Sequence, residues 1–142
     1  MDLNEAIYKY LVTVTDLTAV TSTRIYPDAL PQNPTYPAIT FNALYEGEID
    51  TFNQPITMIS PVVQFDCWAL TRASSEAVAK QLRLAWKNYS GLMGGSGGLT
   101  VSAVRKIGKA NDTYTDTVMG GDNQLTFRAL MEFEINYQEE AS

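Results

Sequence analysis

Residues 124–137 constrain this chain most. Leu125, Phe127, Ala129, Met131, Phe133, Ile135 and Tyr137 alternate there with mostly polar residues. A period of two belongs to a β-strand that buries one face and wets the other. A long half-buried strand needs a cover, and residues 71–89 have the pattern of one. Val78, Leu82, Ala85, Trp86 and Tyr89 form an apolar stripe at helical spacing, with Glu76, Lys80, Arg83 and Lys87 on the opposite face. That separation suits a helix lying on a sheet. Ser74 or Ser75 is placed to cap it, and Gly91 stands where a left-handed C-cap is expected.

The other elements follow from the same periodicities. Asp2 and Glu5 read as a capping box opening a helix over 3–13, whose face is Leu3, Ile7, Tyr10, Leu11 and Val14. A short helical turn is expected around 16–20. Arg24-Ile25-Tyr26-Pro27 reads as a brief extended segment. Pro31, Pro34 and Pro37 make 30–37 an irregular connector, because proline fixes φ and removes a donor. Strands are expected over 38–44, 62–68 and 99–104. Residues 46–55 read as a polar loop or hairpin tip, 91–98 as a glycine-rich loop, and 108–123 as a long, turn-rich loop. There is no internal repeat. The expectation is one α+β domain over 1–142, with two helices packed on one face of a mostly antiparallel sheet and with long loops. A chain of 142 residues can support such a core without metals or disulfides.

Charge and residue usage narrow the function. The chain carries 16 acids and 10 bases, a formal net charge of −6. Gripping nucleic acid through its phosphates calls for the opposite balance. The single cysteine, Cys67, lies on the apolar side of an expected strand and reads as a small buried hydrophobe. With one cysteine no intrachain disulfide forms. The apolar runs are too short to span a bilayer, and the acids among the first five residues argue against a signal or transit segment.

Catalytic constellations are hard to assemble from these residues. Histidine is absent, which removes the commonest general base and the usual Ser–His and Cys–His dyads. Gly94-Gly95-Ser96-Gly97-Gly98 lacks the lysine of a phosphate loop and follows a helix where that loop would precede one. Glu46, Glu48 and Asp50 form one acidic cluster, and Asp112, Asp116 and Asp122 another. Neither has EF-hand spacing, and both read as solvated. Glu132 and Glu134 beside Arg128 read as a charge pair on a sheet face. No catalytic, cofactor-binding or metal-binding residue is assigned.

Charge is nevertheless segregated. No lysine or arginine occurs between Arg24 and Arg72, whereas Asp28, Glu46, Glu48, Asp50 and Asp66 do. An acidic stretch and a basic helix in one chain suit head-to-tail contacts between copies. The candidate contact residues are Lys80, Arg83 and Lys87 on one side and Glu46, Glu48 and Asp50 on the other. Asp112, Tyr114 and Asp116, in the long polar segment, join them.

A family resemblance spans nearly the whole chain. Its carriers are Arg24-Ile25-Tyr26-Pro27, Leu30-Pro31-Gln32, Pro37-Ala38-Ile39-Thr40-Phe41, Val63-Gln64-Phe65-Asp66-Cys67-Trp68-Ala69 before an alanine-rich helix, and the closing Glu134-Ile135-Asn136-Tyr137. This pattern resembles the tail-completion proteins of long-tailed bacteriophages and prophages, which are similar in size and placement to tail terminators. The resemblance implies a non-catalytic protein without cofactors. It implies a ring, typically a hexamer, at the head-proximal end of the tail tube. The ring would contact the tube protein and the head connector, and DNA would pass through its lumen without specific binding. It implies residence in the tail or neck of the virion, with assembly in the host cytoplasm and no membrane. Competing readings are another neck or tube component, such as a head-completion or tube protein, and a non-viral binding module.

Overall fold

The computed structural model describes residues 1–50, 56–117 and 123–140. Its elements run α1 (Leu3–Leu11), α2 (Thr15–Thr21), β1 (Ile25–Pro27), β2 (Ala38–Asp50), β3 (Ile56–Ala69), α3 (Arg72–Trp86), β4 (Gly91–Met93), β5 (Leu99–Thr117) and β6 (Asn123–Glu140). The strands form one sheet in the order β1-β2-β3-β6-β5-β4. Every pairing is antiparallel except β1 with β2.

The alternation read in the closing strand is the centre of the sheet. Ala129, Met131, Phe133, Ile135 and Tyr137 are all buried, as are Phe41, Val63, Phe65 and Cys67 on the neighbouring strands. α3 lays Val78, Leu82 and Trp86 on them, α1 adds Ala6, Ile7 and Leu11, and α2 adds Leu17. Phe65 lies 5.8 Å, centroid to centroid, from each of Phe41, Trp86 and Phe133. Tyr10 packs 5.0 Å from Trp86 and 4.1 Å from Tyr89. Its hydroxyl donates to the Ala85 carbonyl and so ties α1 to the end of α3. Burial, with the Tyr89 phenol as a second cause, pushes the Tyr10 ionisation up to about 12.

The intervening strand positions form the face without helices. Asp66 is only 7% exposed there. It receives Gln64 Nε2 at 3.0 and 3.2 Å, Thr40 Oγ1 at 3.4 Å, and Arg128 Nη1 at 3.4 Å. Trp68 Nε1 donates to Thr40 Oγ1 at 3.0 Å, and the Arg128 guanidinium sits over the Trp68 ring. This network joins β2, β3 and β6 by side chains as well as by backbone. Arg128 thus pairs with Asp66 and not with the glutamates beside it, while Glu134 pairs with Arg105 at 3.1 Å.

Several expectations are corrected. Three helices, not two, pack against the sheet. The segment read as a helical turn is the helix α2, whose β-branched threonines gave a weak propensity signal. Burial of Leu17 and Thr21 against the core outweighs that weakness. α3 is capped by Thr71, whose Oγ1 accepts the Ser74 N–H at 3.1 Å. Ser75 is buried one turn in and donates to the Arg72 carbonyl. Gly91 opens the edge strand β4 and does not cap the helix. The long loops are largely strand. β2 runs on through Asp50, and β5 runs through Thr117 in register with β6. In β5 polar residues at both odd and even positions obscure the alternation; in β2 the acids and Gly47 among residues 45–50 resemble a hairpin tip. The rest of those segments, 51–55 and 118–122 with Asp122, lies outside the described residues.

Two measurements follow. Leu82 is fully buried mid-stripe on α3, so Leu82→Ala is expected to cost about 2–5 kcal/mol in urea unfolding. A loss under about half a kcal/mol would show that this stripe is not the core. Tyr10 titrates higher folded, at about 12, than unfolded, at about 10. Its contribution is therefore complete below pH ~10 and is lost as pH rises towards ~12. The melting temperature should fall across that window. Tyr10→Phe should start lower, having lost the bond to Ala85, and fall less.

Candidate interaction groove

α3 crosses β3 and β6, so its charged side overhangs β5. Two adjoining hollows, of about 360 and 440 Å³, lie between them. Glu76, Lys80, Arg83, Lys106 and Lys109 line the first over a floor of Ala79 and Met131. Arg83, Lys87, Lys106, Trp86 and Phe133 line the second. Arg83 and Lys106 belong to both, which makes the two one continuous groove.

Its charge is uneven. Lys109 Nζ contacts Glu76 Oε2 across the groove. Among the described residues, Lys80, Arg83, Lys87 and Lys106 have no carboxylate within ion-pair distance. Trp86 is 1% exposed, and its Nε1 has no hydrogen-bond acceptor among the described residues. The groove thus carries an excess of positive charge among the described residues.

Lys80, Arg83 and Lys87 were legible in the sequence as one helix face. Lys106 and Lys109 were not. Residues three apart on a regular strand face opposite ways. A register shift between Lys106 and Gly108 sets Lys106 across from Phe133 and Lys109 across from Met131, both core-facing positions of β6. The one available signal was Gly108, since a glycine inside a strand often marks a bulge.

The candidate acids are not brought to this groove within one subunit. Glu46, Glu48 and Asp50 occupy alternate positions of β2, across from Pro61, Ile59 and Thr57. Glu139 and Glu140 stand at the same end of the sheet, across from Thr57 and Ile56 on the other side of β3. Asp112, Tyr114 and Asp116 lie on β5 across from Arg128, Thr126 and Gln124, towards the opposite end. β3 and β6 separate β2 from β5.

Chemistry finds little here. Cys67 is fully buried, and that burial pushes its thiol far above the usual range. Among the described residues no three carboxylate or cysteine side chains gather as a metal site, and no helix is long and apolar enough to cross a membrane.

Comparison with known proteins places this architecture. The chain resembles, over 96% of its length and 95% of the other's, a chain of the virion of a native gene transfer agent particle, at 16% identity and a TM-score of 0.64. At that identity the likeness is one of fold. No curated protein matches the chain in sequence. Residues 5–88, from α1 through α3, match the family described as tail completion protein gp17. That match covers more than half of the chain and includes Lys80, Arg83 and Lys87 of the groove, and it establishes that this is a non-catalytic structural protein of the phage tail belonging to the tail completion protein gp17 family.

Proposed function

We propose that the chain is a tail-completion subunit that closes into a ring, a hexamer, at the head-proximal end of the tail tube. The ring joins the tube protein to the head connector and lets DNA pass through its lumen. The subunit is made in the host cytoplasm and resides in the virion neck. The observation that carries this reading, beyond family membership, is the groove between α3 and β5. Its cations Lys80, Arg83, Lys87 and Lys106 lack carboxylate partners among the described residues, while Glu46, Glu48 and Asp50 sit on the far side of the sheet. Complementary patches on different sides of one subunit support a head-to-tail contact, the kind that closes rings. A net charge of −6 favours a lumen that repels phosphates over one that holds them.

Arg83→Glu with Lys87→Glu tests the reading. Lys87 is exposed and Arg83 half-buried, so the variant should melt within a few degrees of the parent. Electron microscopy of phage carrying it should show full heads with unjoined or overlong tails. Normal virions at normal titre would overturn the assignment of the groove to assembly.

A further inference from the structure

Both margins of the sheet are mostly bare. β1 covers β2 only at Ile39–Phe41, and the Asp28 N–H extends that cover to the Phe41 carbonyl. From 42 to 50, β2 has no strand on its outer side among the described residues. β4 covers β5 only at Leu99–Val101, so β5 is bare from 102 to 117 on the same terms. A long open edge is a row of unpaired backbone donors and acceptors, a template for another strand.

The two open edges differ in charge. The bare part of β2 carries Glu46, Glu48 and Asp50 and no base. The bare part of β5 carries Arg105, Lys106 and Lys109 close together, with a bulge among them, and Asp112 and Asp116 further along. Lysines and bulges are the devices by which free edges avoid indiscriminate pairing. Here they discriminate further. β2 against β2 sets acid against acid, whereas an antiparallel pairing of two β5 edges centred near 110 would set Arg105 and Lys109 against Asp116 and Asp112. β2 against the 105–109 stretch of β5 is complementary and opposes no like charges. Charge thus disfavours a two-fold contact through β2, and pairing of β2 with β5 gives head-to-tail growth.

Strand directions agree. β2, β3, β6 and β5 alternate in sense, so β2 and β5 run oppositely within a subunit. Copies related by rotation about an axis along the strands would therefore bring β5 of one to β2 of the next in antiparallel sense, the more stable pairing. Through β3 and β6, Arg105 stands level with Tyr45, both matched to the Val62–Glu134 pair. A stagger of about four residues sets the basic stretch against the acidic one, and closing a sheet on itself requires such a shear.

We propose that the subunit contact in the ring is strand addition: the acidic open edge of β2 pairs, antiparallel, with the basic 105–109 stretch of the open edge of β5 in a second copy of this chain. The sheet then runs unbroken from subunit to subunit. The pairing places the β2 acids beside the cationic groove, whose Lys106 and Lys109 belong to the same edge. This inference rests on the ring reading above.

Charge reversal separates the two claims. E46K/E48K makes both edges basic, and K106E/K109E makes both acidic. Each variant is purified and checked by melting temperature, and rings are then counted by native mass measurement and electron microscopy. Where the parent stays monomeric alone, they are counted on isolated tail tubes. Each variant alone should give roughly tenfold fewer rings or worse. An equimolar mixture of the two should restore rings in which the variants alternate. Recovery in the mixture also shows that both variants are folded. If either variant alone forms rings like the parent, or the mixture recovers nothing, edge pairing is wrong while the ring stands. Binding of the parent's groove to DNA oligonucleotides, lost in K106E/K109E without change in ring yield, would likewise overturn it. A parent that forms no ring in solution or on tubes defeats the ring reading itself.

Discussion

Phe65 on β3 meets Trp86 of α3 at 5.8 Å, and both other helices pack in part on α3. Phe41 and Phe133 pack on the same ring from both sides, so three strands and one helix meet at one side chain. α1 then builds on the helix, through Tyr10 against Trp86 and Tyr89. Aromatic pairs of this kind add roughly 0.5–1.5 kcal/mol each beyond the area they bury. Their larger effect is directional. With Trp86 fixed over β3 and β6, the polar side of α3 has one place to go, above β5. The groove is thus a consequence of core packing.

That seating explains how an acidic protein presents a basic surface. Six of its ten bases, Lys80, Arg83, Lys87, Arg105, Lys106 and Lys109, lie within one stretch of chain that folds into α3 and the adjoining part of β5. Two of them are neutralised locally, Arg105 by Glu134 and Lys109 by Glu76. The acids of β2 are held away by two intervening strands, so intramolecular neutralisation is sterically closed. The buried Asp66–Arg128 pair on the opposite face serves a different end, locking β3 to β6 beneath Trp68.

Much of this was legible. The period-two run to Tyr137, the α3 stripe and the basic face opposite it were apparent because they follow local periodicities, and the proline-rich connector because proline fixes φ and removes a donor. Less was legible where local signals were weak or divided. α2 has a threonine-rich sequence that propensity alone undervalues, and only its contact with the core makes it a helix. The polar residues of β5 beyond Gly108 resemble a loop, because a strand paired on one edge and polar on both faces has no hydrophobic rhythm to reveal it. Backbone pairing with β6 holds it extended.

The sequence by itself determined the α+β class and the mostly antiparallel sheet, though not the number of helices, together with the apolar faces that meet, the lack of histidine, and the segregation of acids from bases along the chain. These are properties of residue type and short-range order. Only the tertiary structure decided that Lys106 and Lys109 share a face with α3, and that β2 and β5 end as opposite open margins of one sheet. The first depends on one bulge, which shifts register by a residue and so turns a side chain from one face to the other. The second depends on strand order, which long-range hydrogen bonding selects and no local pattern encodes.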